Sequence, residues 1–289
     1  MPIFTGSTIV KRIPVFFSSK MVAKIDSFSP SAHKPPLIVR SWLEKYPIEV
    51  RAPRPATEDD FFMAHDMKYV LDVLQLRAKN GFGGKEPSIA ASLPYTNGSM
   101  IDATFAAIEN GKVAASPAAG FHHAGYYDGG AFCTFNGLVI AARKILAAGK
   151  ATRVGILDCD QHFGDGTEDI LAERKLHNKI KHITVEKHYP RNANTFFERL
   201  PAMIESFADC GVLLYQASAD PHVDDPLGGF LDTEQLRRRD RIVFDTANRL
   251  GIPVAWNTAG GYQTPLSRVV AIHDNSMAEC VGIYLNHKT

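Results

Sequence analysis

Residues 153–166 read Arg-Val-Gly-Ile-Leu-Asp-Cys-Asp-Gln-His-Phe-Gly-Asp-Gly, and no other stretch limits the fold of this chain as tightly. The run over 153–157 is short, apolar and rich in branched residues, which predicts a buried strand. Polar groups then occupy every second position: Asp158, Asp160 and His162. Side chains alternate across an extended backbone, so these three project to one side. Gly164 and Gly166 end the strand and permit a sharp turn. Two carboxylates and an imidazole thus converge where a buried strand ends, the edge at which open α/β sheets bind ligands. Such a set has the makings of half a metal site. A calcium loop does not fit, because the position that needs Gly holds Phe163 and the twelfth position is Asp169 instead of Glu. Asp165 and Thr167 also suit the cap of a following helix, so this stretch alone leaves a purely structural reading open.

Further strands end in similar clusters. A small-residue strand over 113–116 runs into Gly120-Phe121-His122-His123. An isolated His-His pair is ordinarily one packed and one solvated imidazole. Here Gly129-Gly130-Ala131-Phe132-Cys133 follows at once, and Asn136 caps a helix to 148. Phe132 reads equally as the wall of a site or as a core ring under a loop. A strand over 211–215 leads to Asp220, and one over 253–257 leads into Ala259-Gly260-Gly261-Tyr262-Gln263. Between these strands, periodicity predicts helices over 67–79, 99–109, 232–250 and 265–285, with a flexible loop over 80–97 and another over 186–195. Strand–helix alternation with polar clusters after several strands predicts a mainly parallel sheet wrapped by helices. No repeat or linker divides the chain, so a single domain over 1–289 is expected.

Composition excludes several functions. A formal net charge of +1 gives no global field toward nucleic acid or an anionic membrane, so direct nucleic-acid binding is not expected. Arg237-Arg238-Arg239 reads as the solvated face of a helix. Cys133, Cys159, Cys210 and Cys280 are widely spaced with no CxxC pair, which suits free thiols in a reducing, cytoplasmic setting. No apolar run approaches the length of a membrane span. Oligomeric state is left open.

The ordered succession Gly-Phe-His-His, Gly-Ala-Phe-Cys, Asp-x-Asp-x-His-x-Gly-Asp-Gly, Asp-Pro-His-Val-Asp-Asp-Pro-Leu-Gly-Gly and Gly-Gly-Tyr resembles the zinc-dependent histone deacetylases. Details are most similar to the class IV branch: Gly120-Phe121-His122-His123, His188 with Tyr189-Pro190, Ala259 to Gln263, and Thr57-Glu-Asp-Asp with His65 downstream. The resemblance implies the arginase-deacetylase fold, a three-layer α/β/α sandwich. It also implies Asp160, His162 and Asp220 as metal ligands, with zinc expected, although two carboxylates and an imidazole also accept Fe(II) or Co(II). It makes His122 and His123 the catalytic pair, His123 acting as base and leaving-group acid. Asp158 and Asp165 would orient them, and Tyr262 would donate to the oxyanion. Phe132 would line an acyl-lysine tunnel. A structural monovalent cation belongs to the family, but one of its positions, often Ser, is Glu186 here, so that ion is not carried over.

The expected substrate is an acyl-lysine protein or peptide, or a small acyl amide, with acetyl or longer acyl groups. An acetylpolyamine amidohydrolase is the nearest alternative; the rim position where polyamine-selective relatives carry Glu is Leu227 here. A non-catalytic metal-binding scaffold is the alternative from another class, and it would need neither the His pair nor Tyr262. Ala114, Ala115, Ala118 and Ala119 beside the His pair would either leave room for a long acyl chain or pack as strand residues.

Overall fold

The computed structural model describes residues 11–188 and 192–285, and Tyr189, Pro190 and the His188 side chain lie outside that description. Seven strands form one sheet: β1 (Ile13–Phe16), β2 (Ile48–Arg51), β3 (Val113–Ser116), β4 (Val154–Asp158), β5 (Ile180–Thr184), β6 (Leu213–Ser218) and β7 (Val254–Ala259). Their order is β2-β1-β3-β7-β6-β4-β5, and every pairing is parallel.

The strands read as continuous apolar runs because both faces are covered. Alternate residues serve opposite layers. Leu214, Ala255 and Ile156 pack into one apolar cluster, whereas Leu213, Tyr215, Val254, Trp256 and Leu157 pack into the other. On the first face lie α2 (Glu58–Phe62), α3 (Met67–Leu74), α4 (Pro87–Asn110), α5 (Gly137–Ala147) and α6 (Asp165–Glu173). On the second lie α1 (Pro35–Lys45), α8 (Ala193–Glu205), α9 (Thr233–Arg249) and α10 (Ser267–Tyr284). Trp42 of α1 meets Trp256 of β7 at 5.3 Å between ring centroids. The expected α/β/α sandwich is what the chain forms. All four cysteines are free and buried, and among the described residues no helix is long and apolar enough to cross a membrane.

Three expectations need correction. The segment over 80–97 is not one loop: α4 starts at Pro87 and runs straight through Pro94. Its Ser, Thr and Asn residues look like turn formers, but here they bond back to the helix. Ser92 Oγ donates to Ile89 O at 2.8 Å and Asn97 Nδ2 to Leu93 O at 2.9 Å. Burial against the sheet overrides their local preference. The helix expected over 67–79 ends at Leu74, and Leu76 adopts a left-handed φ of 60°. The loop expected over 186–195 is interrupted by a short helix α7 (Val185–His188) and by the early start of α8, which Asn192 caps by accepting from Asn194 N and Thr195 N.

Candidate active site

The four central strands β3, β7, β6 and β4 are consecutive in the sheet, so their C-terminal ends form one edge. Each delivers chemistry there: the His pair after β3, Tyr262 after β7, Asp220 after β6, and Asp158, Asp160 and His162 from β4 onward. A single cavity is lined by His122, His123, Phe132, Asp160, Gly260 and Tyr262, among others.

Asp160, His162 and Asp220 place one ligand-type atom each within 4.8 Å of one another. His162 Nδ1 lies 3.0 Å from Asp160 Oδ1 and 3.2 Å from Asp220 Oδ2. Ser218 Oγ bridges the two carboxylates, 2.7 Å from Asp160 Oδ2 and 2.6 Å from Asp220 Oδ1. Burial, then the Asp160 charge, pushes the Asp220 carboxyl up to about 6. Asp160 is buried as well, yet His122 and His162 hold it well below the usual carboxylate range. The buried Asp220 Oδ2 has His162 Nδ1 at 3.2 Å but no well-formed hydrogen bond, and a buried acceptor left that way is costly. Two crowded carboxylates, one imidazole and a carboxylate oxygen without a well-formed hydrogen bond fit a divalent cation.

The two histidines are held alike. Asp158 Oδ2 accepts from His122 Nδ1 at 2.7 Å, and Asp165 Oδ1 accepts from His123 Nδ1 at 2.6 Å. Each ring therefore keeps Nε2 for the cavity, and His122 Nε2 is 3.8 Å from Asp160 Oδ1. Asp158 is itself fixed through Oδ1 by Gln216 Nε2 at 2.9 Å and Asp160 N at 3.1 Å. His122 is raised to about 9: burial opposes this, but the charges of Asp158 and Asp160 outweigh it. His123 is lowered, chiefly by burial and then by His122. Asp165, for which a capping role was left open, is the first residue of α6, and Gly164 precedes it without a side-chain cap.

Tyr262 follows two glycines with left-handed φ of 48° and 89°, Gly260 and Gly261, a turn that a Cβ-bearing residue would strain. Burial, then the charges of Asp220 and Asp160, pushes its phenol far above the usual range, so the hydroxyl is a donor. Asp225 Oδ2 accepts from Tyr262 N at 2.8 Å, and Oδ1 accepts from Leu227 N at 3.1 Å. Leu227 itself is exposed on that loop and does not line the cavity. Phe132 does line it, from a backbone with φ of 68°. A bulky residue in that region is strained and marks a constrained site; its amide is tied to Gly81 O at 2.8 Å.

Several residues of the site escaped the sequence reading. Phe28 is 61 % exposed, yet its ring stacks on Tyr262 at 5.5 Å and 10°. Lys34 is fully buried and donates to Gly260 O. Burial lowers its ammonium to about 8, against the opposing charges of Asp220, Asp160 and Asp225. Neither residue sits in a periodic pattern, and a lysine beside two prolines reads as surface loop. The carboxylate bridge Ser218 ends β6, and only the fold shows that this serine reaches both aspartates.

The Histone deacetylase domain model matches residues 32–195. A protein of Picosynechococcus described as uncharacterized is 29% identical over 259 residues, 83% of this chain and 82% of that one. Acetylpolyamine amidohydrolase 2 of Pseudomonas aeruginosa is 51% identical over 55 residues, only 19% of this chain and 15% of its own. The crystal structure of the HDA15 HD domain superposes with a TM-score of 0.76 at 18% identity, covering 93% of this chain and 91% of that one. These matches do not single out a branch such as class IV. The family model spans more than half of the chain, and the chain belongs to the histone deacetylase domain family.

Proposed function

We propose that this single-domain protein is a zinc-dependent deacylase that hydrolyses the amide of N-acyl-lysine or a related acyl amide. The observation that carries this reading is one cavity lined by His122, His123, Asp160 and Tyr262, with Asp160 part of an Asp-His-Asp cluster and each histidine backed by an aspartate. Asp160, His162 and Asp220 would hold the ion. When bound, such an ion polarises a carbonyl and acidifies water to a pKa of roughly 7. The protein's own groups do the rest. His123 Nε2 takes the proton of the attacking water and returns it to the leaving amine, with Asp165 fixing ring and tautomer. His122, held by Asp158, adds positive charge beside the developing oxyanion, and the Tyr262 hydroxyl donates to it. Phe132 and Phe28 flank the approach as apolar faces.

Polyamine hydrolysis is the second reading, favoured by the Pseudomonas relative. Leu227 opposes it, since an exposed apolar side chain offers a dication no partner.

The test compares a fluorogenic acetyl-lysine peptide with an acetylated diamine, using metal-loaded wild type, Tyr262→Phe and His123→Ala. Both variants should retain metal. Tyr262→Phe should lower turnover by about 10²–10³-fold, as expected for one lost oxyanion donor. Near-normal turnover in both variants would leave the mechanism without its acid–base groups. Preference for the diamine would move the substrate class.

A further inference from the structure

Helix α9 was expected to expose its arginines, and the structure reverses this for Arg239. It is 1 % exposed, as is Asp240 beside it. A guanidinium does not lose its proton in a protein, so burial demands partners. Arg239 Nε donates to Asp240 Oδ1 at 2.9 Å. Nη1 donates to two main-chain carbonyls, Ser218 O at 2.7 Å and Cys159 O at 3.3 Å. Asp240 is gripped in turn by the Tyr215 hydroxyl from β6 and by Ser276 Oγ from α10 at 2.5 Å. Two helices and two strand ends therefore meet on one buried ion pair.

The two carbonyls belong to the ends of the strands that carry the cluster. Cys159 directly precedes Asp160 after β4, and Ser218 closes β6 two residues before Asp220. β4 and β6 are neighbours in the sheet. Arg239 thus clamps both strand ends from the α9 side, while the hydroxyl of the same Ser218 bridges the two carboxylates. An apolar side chain could fill the volume but could not hold two carbonyls at a set separation. A lysine would keep the charge and lose the planar fork.

We propose that Arg239 is a positioning residue for the metal cluster, setting the separation of the Asp160 and Asp220 carboxylates and hence the affinity for a divalent cation. This rests on reading Asp160, His162 and Asp220 as ligands. Groups one step outside a ligand shell typically change metal affinity by about 10–100-fold.

The experiment measures the Zn(II) dissociation constant by chelator competition, alongside the thermal midpoint of the metal-free protein. It uses wild type, His162→Ala, Arg239→Lys, and the double variant Arg239→Met with Asp240→Asn, which leaves no buried carboxylate unpaired. The double variant should fold and bind zinc about 10–100-fold more weakly, with Arg239→Lys between it and wild type. A lowered midpoint with a dissociation constant within about twofold of wild type would show a scaffold role only and overturn the proposal. If the double variant does not fold, Arg239→Lys decides by the same criterion. Failure of the ligand reading looks different: wild type binds no ion, or His162→Ala binds as tightly as wild type.

Discussion

Opposing influences act on His123, the base of the proposed mechanism. Burial and then the neighbouring His122 lower its pKa from the ordinary 6.5, while the Asp165 carboxylate pulls the other way. A lowered value keeps the ring neutral further into acid, and the base is lost only as pH falls through that value. The acidic limb of kcat/KM should therefore lie below 6.5. Asp165→Asn removes the raising influence, so the limb should move to still lower pH while the rate falls, because the ring loses its orienting acceptor. A pH–rate profile reads both effects, and an upward shift of the limb would contradict the pairing. At this scale the sequence was most legible where side-chain period and backbone coincide. Asp158, Asp160 and His162 announced themselves by alternation. Phe28, Lys34 and Arg239 did not, since exposure or burial of a single aromatic or charged residue is decided by partners distant in the chain.

Elements bring these residues to one place through close backbone contact. The first turn of α6 lies against the His pair: Thr167 N donates to His122 O at 2.9 Å. A Cβ on Gly166 would meet His123 C at 2.4 Å and the Ala124 carbonyl at 2.5 Å. Gly166→Ala should cost about 1–3 kcal/mol of stability, as overpacking does, and should also slow turnover by displacing His123. Denaturant unfolding and steady-state rates on the same variant check this, and unchanged values in both would mean that α6 does not set the His pair. Strands were legible because apolar runs between turn residues leave few alternatives. The first half of helix α4 was not, because Pro94 and the hydroxyl and amide side chains around it argue for a loop until the sheet beneath it is known, whereas its second half was expected over 99–109. Likewise α9 was expected as a helix over 232–250, but its amphipathic pattern hid the buried ion pair.

Across the whole molecule, fold class followed from strand–helix alternation, whereas the strand order did not, since alternation alone does not say which strands neighbour. Acyl length depends on the room beside the His pair. Ala114 and Ala115 are fully buried strand residues, but Ala118 and Ala119 line a cavity with Ile89, Leu93 and Phe135, and it shares Gly120 and Phe132 with the active-site cavity. If an acyl chain extends into it, each buried methylene contributes roughly 0.8 kcal/mol, so two give about a tenfold gain in kcat/KM. A series of acyl-lysine peptides from acetyl to myristoyl should show that rise; a maximum at acetyl with steady decline would close the channel. The central claim, a metal-dependent site at the edge of four strands, is tested most directly by the metal content of purified protein. Wild type should hold about one divalent ion per chain and His162→Ala almost none, with both folded; full metal in His162→Ala would contradict the account.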